Sequence, residues 1–170
     1  MYFNTYIRFA MESYLELSIS FLLRFYQFQV TDSSSGFHSI FAICMAAMIF
    51  GLMILSLVFL QVKKAKLSSP RYMQKYGDFY LGIDTRFRDK LLQPFFFMIR
   101  RLFYASILVM FVHRSYFQIM LMVFKTSLYL IFHGYFRPFI LPFNNNLDIV
   151  NEYMTLVSCY SLCVFSAFVP

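Results

Sequence analysis

Polar positions along this chain fall in blocks, and the blocks separate apolar runs long enough to be whole helices. The clearest run is residues 39–62 (SIFAICMAAMIFGLMILSLVFLQV), which carries no charge. A hydrocarbon core about 30 Å thick is crossed by roughly 20 helical residues, so this run predicts a transmembrane helix over 37–62. Further runs predict helices over 5–28, 95–112, 116–134 and 147–169. The pattern is that of an all-α, polytopic integral membrane helix bundle, a single domain of four to five transmembrane helices.

The connections are read from their breakers. Residues 31–36 (TDSSSG) form a polar turn, and residues 113–115 a tight one. The link 135–146 holds Pro138 and Pro142 and is expected to be irregular. Asn146 is then positioned to cap the last helix, with Asp148 and Glu152 near its positive end. Residues 63–94 form the one long polar block. Within it Ser69 and Pro70 read as a helix start and Gly77 as its stop, and Asp84 reads as the cap of a second short helix ending at Pro94.

Charge orients the bundle. Only 14% of residues are charged and 60% are hydrophobic, against about 25% charged in a soluble domain. The polar block carries Lys63, Lys64, Lys66, Arg71, Lys75, Arg86, Arg88 and Lys90 against three aspartates, Asp78, Asp84 and Asp89. The positive-inside rule makes this short, basic, amphipathic segment cytoplasmic. Arg8, Arg100, Arg101 and Arg137 then also lie toward the inside, and Arg24 and Arg114 toward the outside. Basic residues alternating with Tyr, Phe and Leu suit the anionic head groups of membrane lipids, although a solvated loop explains them too. No nucleic-acid partner is implied. The 24 Phe and 13 Tyr reflect interface packing or the codon bias of an AT-rich genome. The first residues hold glutamates where a cleavable signal needs an apolar core.

Charges inside spans are costly, by roughly 2.5–3.5 kcal/mol each, and by default mark function. The first helix repeats a polar residue every fourth position: Asn4, Arg8, Glu12, Glu16, Ser20, Arg24. Each step of four drifts only about 40° around the axis, so these residues form one ridge, expected to face protein or water. Arg100, Arg101 and Lys125 are the basic residues of the third and fourth spans. Matched depth and opposite sign predict pairing of Glu16 with Lys125, and of Glu12 with Arg100 or Arg101. Such pairs fix helix register, or line a pathway for ions or protons; spacing leaves both open.

Enzymatic constellations are missing: there is no Gly-rich phosphate loop, HExxH helix or nucleophile elbow. Cys44, Cys159 and Cys163 lie in apolar runs, and His38, His113 and His133 lie apart, so no disulfide framework, metal site or cofactor is expected. There is no arginine stripe of a voltage sensor and no glycine-rich selectivity filter.

Three stretches, IRFAMESYLELSIS (7–20), KYGDFYLGIDTRFRDKLLQPFFFMIRRLFYASILV (75–109) and YFRPFILPFNNNLDIVNEYM (135–154), resemble the C-terminal membrane domain of TRP-like proteins of the ciliate type, in the order that family shows. The resemblance implies a multi-pass, channel-like domain, a cation channel subunit or its relic, in the plasma membrane rather than an organelle. It also implies that the chain is a fragment, because the family carries a large cysteine-rich part upstream. A structural subunit of a larger membrane assembly, or a proton-coupled transporter fragment using Glu12 and Glu16, are the alternatives. Five helices are too few to enclose a wide pore, so conduction implies further chains, as a homo- or hetero-oligomer, or the missing flanks.

Overall fold

The computed structural model describes residues 2–30, 36–67, 69–80 and 82–165. Among them the regular structure is helical: α1 (Tyr2–Val30), α2 (Gly36–Val62), α3 (Lys64–Leu67), α4 (Pro70–Tyr80), α5 (Gln93–Met110), α6 (Ser115–Phe136) and α7 (Pro142–Phe165), with a 3-10 turn at Lys90–Leu92. Three stretches are long and apolar enough to cross a membrane: Ile43–Val62, Lys90–Met110 and Ser115–Phe136. α1 and α7 have the length but carry more polar residues. The expected turn at 31–36 and the end of the last helix at 166–169 fall, but for Gly36, outside the described residues.

The bundle is built around α5. On one side α5 meets α1 and α2, and on the other it meets α6, which carries α7. Its Met98, Ala105, Ile107 and Val109 are buried. Tyr14, Ile49 and Met98 form one apolar cluster where α1, α2 and α5 meet, and Ile107, Met122 and Cys159 a second between α5, α6 and α7. Outward positions are apolar as well: Ile43, Leu55, Phe124, Ile131 and Leu162 are all more than half exposed. An apolar exterior of this extent is unfavourable in water and suits hydrocarbon.

The polar block folds back beneath α1 and α2. Ser69 O accepts from Tyr72 N and Met73 N, both at 3.0 Å, so α4 starts at Pro70 as its sequence predicts. It does not stop at Gly77. That glycine is buried in the packed face, where an added Cβ would meet Met73 and Asn4, and Asn4 Nδ2 donates to Gln74 O at 3.2 Å. The turn comes instead at Gly82, whose φ of 77° only glycine adopts at no cost. Tyr80, Leu60, Leu67, Ile83 and Leu91 close a third cluster, and Tyr80 Oη donates to Leu67 O at 2.9 Å.

Two further boundaries differ from their sequence reading. Pro94 does not end a short helix; it sits in the first turn of α5, where its missing N–H has no partner to lose. Asp84 likewise caps no helix, and accepts from Arg86 N at 3.2 Å in a turn. The link before α7 is shorter than 135–146. α6 runs to Phe136, Arg137 turns the chain with φ 37°, and α7 begins at Pro142. Asn145, not Asn146, is the ordering side chain. Its amide donates to Phe139 O at 2.9 Å and its carbonyl accepts from Phe139 N at 3.0 Å.

This link is pinned to the polar block. Ile83 and Phe139 form an antiparallel bridge, through Asp84 N to Pro138 O at 3.1 Å and Ile140 N to Gly82 O at 2.9 Å. The bridge joins the start of the basic segment's second half to the hinge between α6 and α7.

Candidate functional site: an exposed ridge and a buried charged cluster

The ridge of α1 points away from the rest of the bundle. Tyr14 and Ser18 form the inward face, with Tyr14 1% and Ser18 0% exposed. Arg8, Glu12, Glu16, Ser20 and Arg24 lie on the outward face and are exposed. Arg8 and Glu12 neutralise one another at 2.9 Å across one turn. Glu16 has no ion pair among the described residues. The expected pair of Glu16 with Lys125 does not form, because Glu16 faces out of the bundle and Lys125 faces α5. Glu12 does approach α5, but by its backbone: Arg101 Nη1 donates to Met11 O at 2.8 Å and to Glu12 O at 3.0 Å. Arg101 thus clamps α1 to α5 through two carbonyls and leaves the Glu12 carboxylate to Arg8.

The charges that do meet inside the bundle lie between α5, α6 and α7. Arg100 pairs with Glu152 and not with Glu12, and its guanidinium lies 4.5 Å from the centre of the Tyr129 ring. Lys125 Nζ sits over the Tyr104 ring at 5.1 Å, within electrostatic reach of Glu152. Gln93 Nε2 donates to Tyr129 Oη at 3.4 Å. Tyr129 stacks on His133 with ring centres 5.5 Å apart, and His133 Nε2 lies 3.6 Å from Asp148 Oδ2, a contact too long for a hydrogen bond. Met122, Thr126, Tyr129 and His133 are the buried residues of α6, at steps of four, three and four, so they form one inward stripe. Among the described residues Thr126 Oγ1, Gln93 Oε1 and both His133 ring nitrogens lack a hydrogen-bond partner.

The cluster is balanced in charge. Arg100 and Lys125 oppose Glu152 and Asp148, with His133 beside Asp148. Pairing recovers much of the cost of holding these groups in the bundle, and the sum gives no net attraction for a small cation. The outward ridge differs, because Glu16 stands near mid-helix, eight residues or about 12 Å from Arg24.

The basic segment uses several of its bases internally. Lys64 Nζ donates to Arg86 O at 2.8 Å, and Arg88 Nε to Gln61 Oε1 at 2.7 Å. Lys90 pairs with Asp84 at 3.4 Å and lies over the Phe87 ring at 4.8 Å. Arg86 is exposed, 3.6 Å from Asp84. Lys75 is exposed, with its ammonium 5.4 Å from the Tyr76 ring centre. Lys63 is half-buried; the side chains of Lys66 and Arg71 lie outside the described residues. Burial opposes ionisation of Asp84. The Arg86 N–H, the Lys90 ammonium and the Arg86 charge outweigh it and hold the carboxyl below its ordinary range.

Sequence reading missed Glu152 as the partner of Arg100, and Tyr129, Gln93, His133 and Asp148 as its neighbours in the cluster. Two i, i+4 pairs signalled them: Tyr129 with His133, and Asp148 with Glu152. The second pair reads as helix-dipole acids only if α7 begins near Asn146. Because α7 begins at Pro142, Glu152 lies in its third turn, beyond the dipole's reach.

No protein-family model, curated protein or solved structure matches the chain.

Proposed function

We propose that the chain is the membrane domain of an oligomeric cation channel subunit, of the TRP-like kind its three motifs resemble. In this reading α1, α2, α5, α6 and α7 all cross the bilayer, the segment between α2 and α5 is cytoplasmic, and the membrane is the plasma membrane. The observation that carries the reading is Glu16. A carboxylate near the middle of a 29-residue helix, exposed on the outer face of its own bundle, is costly against lipid. A neighbouring copy and the water between copies remove that cost. The pathway then runs along the α1 ridge, between subunits, and the balanced cluster of α5, α6 and α7 holds each subunit rigid behind it. Oligomerisation also answers the size of the chain, since one bundle of five helices encloses no wide pore.

Purified protein in a planar bilayer tests this. The wild type is expected to pass a cation-selective current, and Glu16→Gln to lower its conductance or selectivity. Silence from folded, oligomeric protein overturns conduction and leaves the ridge as an assembly surface, the structural-subunit reading. A current unchanged by Glu16→Gln removes α1 from the pathway.

A further inference from the structure

A cavity of about 220 Å³ lies between α1, α2, α4 and α5. Its walls are Ala10 and Met11 of α1, Leu52 and Phe59 of α2, Phe79 of α4 and Met98 of α5. Four of its lining residues carry a hydroxyl, Tyr6, Tyr14, Ser56 and Tyr76; Tyr14 Oη donates to Ile49 O at 3.4 Å, and Ser56 Oγ to Met53 O at 2.6 Å. A buried water needs two to four polar partners, and apolar cavities smaller than this one stay dry and take up hydrocarbon. The residues at its mouth are apolar in body and open outward, Tyr6 at 71% and Leu55 at 67% exposure. An opening beside these two residues would meet the acyl chains of a bilayer if α1 and α2 cross it.

Part of the cavity wall is Tyr76 and Phe79 of α4, which belongs to the basic segment. Lys63 follows Phe59 by one helical turn, with Lys63 N donating to Phe59 O at 3.0 Å. Lys75 holds its ammonium over the ring of Tyr76, itself a lining residue. The segment around them carries eight bases against three acids. Such segments attract anionic head groups.

We propose that this cavity holds one acyl chain of an anionic phospholipid, with its head group at Lys63 and Lys75. The proposal rests on the membrane placement of the chain but not on conduction, so it survives a silent bilayer. The bound lipid wedges α4 against α1 and α2.

The test is lipid retention. Full-length protein is reconstituted in vesicles of phosphatidylcholine and phosphatidylserine, extracted into mild detergent and weighed by native mass spectrometry. The wild type is expected to keep one phosphatidylserine per chain. Ala10→Phe and, separately, Leu52→Phe fill the cavity and abolish retention. Leu23→Phe, on the exposed outer face of α1, leaves it unchanged. Lys63→Gln with Lys75→Gln keeps a lipid but loses the preference for serine over choline. A wild type that keeps no lipid, that keeps both lipids equally, or whose lipid persists in both filled variants with native helicity overturns the proposal.

Discussion

Arg100 and Glu152 show how much one residue's partner decides. Their side chains are 20% and 10% exposed, and each is tolerable only while the other is ionised beside it. Breaking such a pair from one side costs about 3–5 kcal/mol, because the remaining charge stays buried. Glu152→Gln is expected to lose stability on that scale in denaturant unfolding followed by circular dichroism in micelles. Replacing both residues by Met is expected to cost far less than the two single changes added. Additive losses would mean that the pair carries no coupling. Asp84 gives a second, pH-dependent case. Its folded pKa is depressed, so its contribution is present above the ordinary carboxylate range and fades as pH falls through the lower, folded value. Protection factors of the Asp84 and Ile140 amides, compared between neutral and acid pH, are expected to fall at the acid end. In Asp84→Asn they are expected to be lower already at neutral pH and to lose most of that acid dependence.

At the scale of elements, the link between α6 and α7 depends on Asn145. This side chain is 5% exposed and satisfies both backbone groups of Phe139. Asn145→Leu leaves that N–H and C=O unpaired and is expected to cost about 1–3 kcal/mol, visible as faster exchange at the Phe139 amide with α6 unaffected. Gly82→Ala is expected to cost about 1 kcal/mol from its φ of 77° alone, since the atoms an added Cβ would meet stand at ordinary contact distance. The long elements were legible from the chain itself. Residues 37–62, 95–112 and 116–134 read as helices from length and hydropathy, and α2, α5 and α6 fall there within about two residues. Boundaries set by proline were not. Pro94 and Pro142 each open a helix where the sequence suggested an end or an irregular link, because proline interrupts a helix interior but is at home in its first turn. Charge pairing was legible in kind and not in partner. Depth along a span can be estimated from sequence, but the azimuth that turns Glu16 outward and Glu152 inward depends on which helices α1 and α7 pack against.

For the whole molecule, the decisive asymmetry is that one charged helix face is enclosed and another is not. If copies meet along the α1 ridge, a cysteine at position 20 in a chain otherwise free of cysteine is expected to crosslink two copies in the membrane. A cysteine at position 162, on the exposed face of α7, is expected to remain monomeric under the same oxidant. The reverse result would move the interface to α7. Both helices mix polar with apolar residues along their length, so mean hydropathy alone does not separate these faces.

The bridge between Ile83 and Phe139 carries a consequence for how the protein is made. Its two halves are 56 residues apart in the chain (139 minus 83). A ribosome delivering the chain from its N-terminus therefore releases the basic segment long before the link that ties it down. Until the hinge behind α6 has emerged, Gly82 O and Asp84 N lack the partners that the bridge gives them. The polar segment is thus the last part of the N-terminal half to be completed, and a truncation after α6 would leave these two backbone groups unpaired.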